Sequence, residues 1–136
     1  MKIYLFMYPT YLIKTCERTQ IDIDKNIINN LATYIPNNIF QTFENKENTK
    51  INELADKIKN NNLELNYYFF TAQERVQFIT EKFHEDVLYA YNKLTPGAFK
   101  ADIWRYCVLY MYGGIYIDTK WKMVNNFKLK ELLNAD

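Results

Sequence analysis

The sequence contains few of the residues that build disulfide frameworks, metal centres or flexible linkers. Its 136 residues include two cysteines, one histidine, three glycines and three prolines. Cys16 and Cys107 are far apart, and Cys107 lies in an apolar stretch where a free thiol behaves as a small hydrophobic group, so no disulfide framework is expected. His84 alone is too little for a histidine-rich zinc site, and we interpret it as an incidental residue at a helix end.

Neither sign of charge is in excess. Seventeen Lys and Arg residues face sixteen Asp and Glu residues, which gives a formal net charge of +1. Such a balance provides no general attraction to nucleic acid or to an anionic membrane. We therefore predict no nucleic-acid partner, and any anionic ligand must be held by a local site.

No apolar run is long enough to cross a membrane. The opening residues MKIYLFMYPTYLIK are apolar over only about 13 residues, whereas a spanning helix needs about 20. Pro9 interrupts this run, and no small-residue cleavage site follows it. We interpret it as an additional strand or a docking segment, with a peripheral membrane anchor as the alternative. A cytoplasmic location without a transmembrane helix is expected, in the host cytoplasm if the chain is viral.

Aromatic and aliphatic residues are plentiful. The sequence is 49% hydrophobic and 24% charged, as is usual for one compact globular domain. It holds 12 Tyr and 9 Phe residues, whose abundance could alternatively indicate a protein-interaction surface. The frequent Asn, Ile, Lys and Tyr residues are typical of an AT-rich genome, such as that of a large DNA virus, a protist or an intracellular bacterium.

Helical and strand patterns alternate along the chain. Thr71 and Glu74 have the spacing of a capping box, which predicts a helix with Val76, Ile79 and Phe83 on its inner face. We predict five helices, four of them over 21–35, 51–58, 85–94 and 98–112 and the fifth beginning at Thr71. Strands are predicted over 38–43, 63–70 and 115–117. This alternation is typical of a doubly wound α/β domain with a parallel core.

Residues 96–120, PGAFKADIWRYCVLYMYGGIYIDTK, are the most informative stretch. Pro96 can begin a helix, Gly113 is the residue type that ends one in a left-handed turn, and the apolar strand that follows leads to Asp118. In open α/β sheets, ligands bind at this carboxyl end of the strands. The helix is apolar on nearly every side, so we expect it to be largely buried.

Two charged residues of this helix require an explanation. Asp102 and Arg105 stand three residues apart on one helical face. One interpretation is an intrahelical ion pair worth about 0.2–0.5 kcal/mol. The other is that the pair serves a site, because charges in an apolar helix are costly unless they are used. The turn at Gly113 and Gly114 brings the strand back beside the helix, so Asp118 is predicted to lie near both.

The segment AFKADIWRYCVLYMYGGIYIDTK resembles the signature of glycosyltransferase family 32, whose relatives include yeast-type mannosyltransferases and the glucosylating domains of large bacterial toxins. The resemblance covers roughly residues 35 to 125. It implies an α/β, Rossmann-like nucleotide-diphospho-sugar transferase fold of the GT-A type. Residues 1–34 would then be an N-terminal extension with a helix, and residues 35–136 the donor-binding half of a glycosyltransferase domain, truncated at its C-terminus.

The resemblance also implies a function. It indicates an enzyme that transfers a hexose from a nucleotide sugar, either a UDP-hexose or GDP-mannose, to a glycan, lipid or protein acceptor with retention of configuration. In that family the counterparts of Asp102 and Arg105 bind the donor sugar, and the counterpart of Asp118 contacts ribose and, through water, a metal. The donor-binding residues implied are Thr42, Phe43, Asp102, Arg105, Tyr116, Asp118 and Lys120, with Asp102, Arg105 and Asp118 as the catalytic set. Phe43 would be stacked on the base, and the alternative is an ordinary core residue of the strand.

The sequence departs from the family pattern at one important position. Where the family has Asp-X-Asp, whose second Asp binds Mn²⁺ or Mg²⁺, this chain has Asp-Thr-Lys. Either the ammonium of Lys120 replaces the metal and neutralises the diphosphate, or the site has decayed and Lys120 is a solvated residue. By resemblance a metal on Asp118 is expected, although metal-independent use of Lys120 carries equal weight. The alternative function is a catalytically inactive nucleotide-sugar-binding remnant or an interaction module.

A second departure is length. Members of the family continue well past the motif, with strands that build the acceptor site, whereas this sequence ends 16 residues after Lys120. We expect either a truncated gene product or a partner that completes the fold. A sheet edge and a helix face left uncovered would favour self-association, so a homo-oligomer is the other expectation.

Overall fold

The computed structural model describes residues 4–6, 35–124 and 127–133. Its elements in chain order are β1 (Tyr4–Phe6), β2 (Asn38–Thr42), α1 (Thr49–Asn61), β3 (Asn66–Phe70), α2 (Ala72–Lys82), α3 (Glu85–Lys93), α4 (Gly97–Tyr112), β4 (Gly114–Tyr116) and α5 (Lys130–Leu133). The predicted helix over 21–35 lies almost entirely outside the described residues, as does Cys16. In the part of the chain that is described, no helix is long and apolar enough to span a membrane.

The four described strands form one sheet in the order β1, β4, β2, β3. β2 runs parallel to both β3 and β4, and β1 pairs antiparallel with β4 at one edge. The predicted α/β class with a parallel core is therefore confirmed. β1 also confirms an additional strand within the opening segment, of which residues 4–6 are described.

The sheet separates two apolar clusters. Successive side chains of a strand point to opposite faces, so Ile39 and Phe40 of β2 enter different clusters, and they are 0% and 2% exposed. The cluster that includes residues of α2, α3 and α4 has the buried members Phe40, Phe78, Ile79, Tyr91, Trp104, Cys107, Val108, Leu109 and Tyr116. The cluster on the α1 side has the buried members Ile39, Ile58, Leu65, Ile115, Ile117 and Leu129. Both faces of the parallel strands are covered, as is usual for parallel sheets.

α4 begins and ends close to the predicted residues. Pro96 is its N-cap and Gly113 its C-cap, the latter with a φ of 61°. The predicted burial is only partly correct, because one side of the helix faces solvent and Phe99 and Tyr106 are 54% and 53% exposed. The other side is buried through Trp104, Arg105, Cys107, Val108 and Leu109.

The turn after α4 places β4 tightly against β2. Gly114 has a φ of 118°, and a Cβ atom at this position would lie 2.5 Å from the carbonyl oxygen of Asn38. The two strands then pair in parallel with Ile115 opposite Ile39. The residues that follow β4 consequently lie at the same edge of the sheet as the residues that follow β2.

Cys107 has the structural role that the sequence predicted, and His84 lies at a helix end as predicted. Cys107 is a buried free thiol whose pKa is raised to about 11 by burial, so it stays protonated at neutral pH and packs as a small hydrophobic group. His84 is the N-cap of α3, where Nδ1 accepts a hydrogen bond from the Asp86 backbone N–H at 3.4 Å. The interpretation of Cys107 and the position of His84 at a helix end are confirmed, but His84 caps the helix and is not incidental.

The inner face of α2 is rotated from the predicted one. Ile79 is fully buried and Phe83 packs against the core, but Val76 is 37% exposed, so its predicted inward position is wrong. Arg75 and Phe78 are buried instead, at 1% and 6% exposure. Spacings of three and four residues allow either face, and the polar partners of Arg75 at the sheet edge decide between them.

The predicted capping box at the start of α2 is present. Thr71 Oγ1 accepts a hydrogen bond from the Glu74 backbone N–H at 3.3 Å, and Glu74 Oε2 accepts one from the Thr71 backbone N–H at 2.7 Å. Replacing Thr71 with alanine should lower the free energy of unfolding by about 1 kcal/mol, because a backbone N–H of the first turn loses its acceptor. Urea denaturation followed by circular dichroism measures the change.

The control and the pH dependence of this prediction follow from the same contacts. Thr80→Ala removes an exposed hydroxyl from the same helix and should change stability much less; equal losses would contradict a capping role for Thr71. The Thr71 backbone N–H holds the pKa of Glu74 below its usual value. The stabilisation that the ionised Glu74 carboxylate contributes is therefore fully present above the unfolded pKa of about 4.3. It is lost as the pH falls through the lower pKa that Glu74 has in the folded protein.

Candidate functional site

A cavity of about 490 Å³ lies at the carboxyl ends of β2 and β4. This is the sheet edge at which the sequence predicted a ligand. Its wall comes from the end of β2, from α2, from the start of α4 and from the segment after β4, and comprises Thr42, Phe43, Glu44, Arg75, Gly97, Ala98, Ala101, Tyr116, Asp118, Thr119, Lys120 and Trp121. Asp102 and Arg105, predicted to bind the donor sugar, are not part of this wall and lie beside it.

Asp102 and Arg105 form an ion pair next to the cavity. Arg105 Nη2 lies 2.6 Å from Asp102 Oδ1, and the side chains of Arg105 and Asp102 are 5% and 42% exposed. The guanidinium is thus shielded from solvent while the carboxylate keeps a solvent-facing side. This differs from a fully exposed intrahelical pair, which contributes little because water screens both charges. A shielded guanidinium can instead hold the carboxylate in one orientation.

Tyr116 links this ion pair to Asp118. The guanidinium carbon of Arg105 lies 5.6 Å from the centre of the Tyr116 ring, and Tyr116 Oη donates a hydrogen bond to Asp118 Oδ1 at 3.0 Å. Burial, reinforced by the neighbouring Asp118 carboxylate, raises the pKa of Tyr116 above its usual value, so the phenol stays protonated and keeps its donor. The structure therefore brings Asp102, Arg105 and Asp118 together around one buried tyrosine.

Gln41 holds the backbone at Asp118. This residue of β2 is fully buried; its Nε2 donates to the Asp118 carbonyl oxygen at 3.3 Å, and its Oε1 accepts from Tyr67 Oη at 2.9 Å. Burial raises the pKa of Tyr67 above its usual value, so that hydroxyl also remains a donor. The sequence pattern did not single out Gln41, although an amide inside an apolar strand signals a buried polar contact.

Thr42 and Phe43 form the cavity wall at the end of β2. Thr42 Oγ1 donates to the Phe70 carbonyl oxygen at 2.6 Å and accepts from Arg75 Nη1 at 2.7 Å. The single hydroxyl proton of Thr42 is therefore already used by the protein, and this residue can contact a ligand only as an acceptor or through its methyl group. Phe43 is half-buried in the wall, where its ring can pack against a planar ligand.

Two further residues of the wall, Glu44 and Arg75, were not found by sequence reasoning. Arg75 donates from Nε to Tyr91 Oη at 2.9 Å, from Nη1 to Thr42 and from Nη2 to Glu44 Oε1 at 2.9 Å. The signal for Arg75 was its position four residues before Ile79 on the same helical face, where a charge must find partners.

The described residues around Asp118 do not fit a divalent-cation site. Within the described ranges, no group of three or more His, Cys, Asp or Glu residues is arranged to hold a metal ion. One Asp118 oxygen accepts from Tyr116, and the exposed Lys120 lines the same cavity. A charged ammonium cannot ligate a metal and repels a divalent cation. This donor set therefore disagrees with the Mn²⁺ or Mg²⁺ that the family resemblance implied.

Most of the chain matches a protein family. The family described as "Glycosyltransferase sugar-binding region containing DXD motif" matches residues 22–135, which include the whole cavity wall and the ion pair beside it. No curated protein and no solved structure matches the chain. The family match covers well over half of the 136 residues and confirms the resemblance seen in 96–120. The chain therefore belongs to the glycosyltransferase family whose sugar-binding region contains the Asp-X-Asp motif.

Proposed function

We propose that this chain binds a nucleotide-diphospho-sugar in the cavity at the carboxyl ends of β2 and β4 and transfers the hexose to an acceptor. The observation that carries the proposal is the ion pair of Asp102 and Arg105, joined through Tyr116 to Asp118 at the cavity. Family membership supports a nucleotide-sugar-binding, glycosyltransferase-like function. The volume of about 490 Å³ also lies within the range of about 300–1,000 Å³ that is usual for small-molecule sites.

The two carboxylates are the groups suited to a sugar. Asp102 keeps a solvent-facing side while Arg105 holds its Oδ1, and Asp118 has one oxygen engaged by Tyr116. The remaining oxygens can accept hydrogen bonds from sugar or ribose hydroxyls. Because both carboxylates are oriented by protein donors, they can select for the positions of those hydroxyls.

Lys120 is the residue suited to the diphosphate. It is exposed, lines the cavity and follows Asp118 by two residues. During transfer, the bond between the anomeric carbon and the phosphate oxygen breaks, the acceptor oxygen bonds to that carbon on the same face, and the acceptor proton passes to the departing phosphate. Negative charge grows on the nucleoside diphosphate, and the Lys120 ammonium would stabilise it without a metal.

Phe43 is the residue suited to the nucleobase. Its ring belongs to the cavity wall at the end of β2, on the strand next to the one that leads to Lys120. Stacking of a base on an aromatic side chain contributes about 1–3 kcal/mol and tolerates different bases. This arrangement is compatible with a UDP-hexose or with GDP-mannose, and the acceptor would be a glycan, a lipid or a protein.

A non-catalytic nucleotide-sugar-binding module is the second candidate. The observation that favours it is Lys120, which stands where the family motif has a carboxylate. Binding without transfer or hydrolysis of a labelled donor would support this candidate over the enzyme. The two candidates share the ligand and differ only in chemistry.

Binding is tested by thermal unfolding with UDP-glucose, UDP-N-acetylglucosamine, UDP-galactose, GDP-mannose, UDP and GDP, each with and without Mn²⁺. A ligand at about 100 times its dissociation constant should stabilise the protein by about 2.7 kcal/mol, which raises Tm by several degrees. We expect a shift with one donor in the absence of metal. A folded protein that responds to none of the donors would contradict the proposal.

The role of Lys120 is tested by replacing it with aspartate. Lys120→Asp places a second carboxylate two residues after Asp118, so binding of the donor should weaken about tenfold without metal and recover with Mn²⁺. Lys122→Asp is the matched control, because Lys122 is exposed but lies outside the wall of this cavity. A Lys120→Asp protein that binds the donor as the wild type does, with no response to Mn²⁺, argues against Lys120 at the diphosphate.

A further inference from the structure

Glu44 is a charged residue of the cavity wall that the proposed transfer does not use. It directly follows Phe43 beyond the end of β2, and its side chain is 54% exposed. Its Oε1 accepts a hydrogen bond from Arg75 Nη2 at 2.9 Å. Its Oε2 accepts no hydrogen bond from any residue within the described ranges. One oxygen is thus held by the protein and the other is available to a ligand.

Arg75 is not available as a phosphate-binding residue, although it lines the same cavity. Its side chain is only 1% exposed, and each of its three guanidinium nitrogens already donates one hydrogen bond, to Tyr91, Thr42 and Glu44 respectively. Its charge is matched by the Glu44 carboxylate. Arg75 is therefore a positioning residue that holds Glu44.

The start of α4 is shaped around the same carboxylate. A Cβ atom at Gly97 would lie 2.6 Å from Glu44 Oε1, so a larger residue would displace the side chain from its place. α4 has no acidic residue in its first turn, and its N-cap Pro96 makes no side-chain hydrogen bond. Glu44 supplies the negative charge that favours this end of the helix, which further restrains its position.

These contacts orient the ligand in the cavity. A diphosphate would be repelled by the Glu44 carboxylate and attracted to the ammonium of the exposed Lys120, which lines the same cavity. A carboxylate oxygen is an acceptor only, so the group next to Oε2 must be a hydrogen-bond donor. In a nucleotide sugar that lies along Phe43, the uncharged donors of the nucleoside are the ribose hydroxyls, the ring N–H of the base and, in guanine, the exocyclic amino group.

We propose that Glu44, held by Arg75, is a specificity-determining residue that accepts a hydrogen bond from the nucleoside part of the donor. This inference rests on the proposed function and deepens it, because it assigns the nucleoside to the part of the cavity next to Glu44 and the diphosphate to the part next to Lys120. It predicts that the protein prefers ligands with a donor group at that point over analogues that lack it.

Glu44→Gln is the informative substitution. The arginine side chain has only donors, so the new amide must turn its oxygen toward Arg75 and its NH₂ toward the ligand. The carboxylate oxygen that accepted from the ligand is thereby replaced by an NH₂ group, which faces a hydrogen-bond donor of the ligand and cannot pair with it. The dissociation constant of the best nucleoside diphosphate, measured by isothermal titration calorimetry, should rise about tenfold to a hundredfold. Glu47→Gln is the control, because Glu47 is exposed in the same loop and does not line the cavity.

Analogues of the nucleotide separate a ligand contact from a purely structural role. The probes are nucleoside diphosphates without the 2′-hydroxyl, without the 3′-hydroxyl, methylated at the ring N–H or, for guanosine diphosphate, without the exocyclic amino group, as in inosine diphosphate. One of these analogues should bind the wild-type protein about tenfold more weakly than the unmodified nucleotide does. In the Glu44→Gln protein, the same analogue should bind no more weakly than the unmodified nucleotide. The probe that behaves in this way tells whether the ribose or the base supplies the donor. Equal penalties for every probe in both proteins would overturn the proposal.

The design keeps this inference distinguishable from the proposed function. If the wild type binds no nucleotide, both fail; if it binds but shows no Glu44-dependent penalty, only the role of Glu44 fails. Arg75→Lys retains the charge but loses the guanidinium fork that holds Glu44. In that variant too, the analogue that identifies the donor group should bind no more weakly than the unmodified nucleotide. Should Glu44→Gln not fold, Glu44→Asp keeps the charge on a shorter side chain and should reduce the same penalty; an unchanged penalty would refute the proposal.

Discussion

Replacing Arg105 with methionine is expected to weaken binding of the nucleotide sugar roughly a hundredfold while the bare nucleotide loses about threefold or less. The reason is that Arg105 holds Asp102 at 2.6 Å and lies over the ring of Tyr116, so its loss releases the carboxylate that the proposed function assigns to the sugar. The protein should still fold, because the Asp102 side chain is 42% exposed and remains solvated. Isothermal titration calorimetry with a nucleotide sugar and its nucleoside diphosphate measures the difference.

Two further variants identify which property of Arg105 matters. Arg105→Lys keeps the charge but not the planar fork, and should lose part of the discrimination between the two ligands. Asp102→Asn removes the charge of the partner with almost no change in shape, and should lose the same discrimination while lowering Tm, because the shielded Arg105 guanidinium loses its counter-charge. Equal losses for nucleotide sugar and nucleotide in all three variants would assign the ion pair to structure rather than to the sugar site.

Replacing Gly114 with alanine is expected to lower the free energy of unfolding by about 3 kcal/mol or more, with a fall in Tm of about 10 °C. Gly114 has a φ of 118°, which an L-residue rarely adopts, and the added Cβ would lie 2.5 Å from the carbonyl oxygen of Asn38. Relief would require β4 to move away from β2, and Asp118 would move with it. Chemical denaturation measures the stability, and nucleotide affinity reports on the displaced site.

Gly97→Ala is the matched control for this prediction. Its new Cβ would come equally close to another atom, 2.6 Å from Glu44 Oε1, but that atom is the end of a flexible side chain and not backbone. Stability should therefore change far less than in Gly114→Ala. If the denaturation midpoints of both variants equal that of the wild type, the close packing of β4 on β2 is contradicted.

Much of the fold follows from rules that act over a few neighbouring residues. The limits of α4 follow from Pro96 and Gly113, and the start of α2 from the pairing of Thr71 with Glu74. The parallel core and the ligand edge follow from the alternation of helices and strands. The family also follows from one local motif, because Asp102, Arg105 and Asp118 stand within 17 consecutive positions, 102 to 118.

The cavity wall depended on contacts between residues that are distant in the chain. Arg75 reaches Thr42, 33 positions away, and Glu44, 31 positions away, and these contacts turned α2 so that Val76 faces outward. Helical periodicity alone could not choose between the two faces, since both satisfy the same spacing.

The same distinction separates the candidate site into two parts. The motif supplied Asp102, Arg105 and Asp118, but it did not show that Tyr116 connects them or that Gln41, 77 positions from Asp118, holds the backbone there. Helix caps and turns are determined by the conformational preferences of adjacent residues, which any reader of the sequence can apply. A buried guanidinium or amide is stable only when its partners meet it in space, and that meeting exists only after the sheet and helices have packed together.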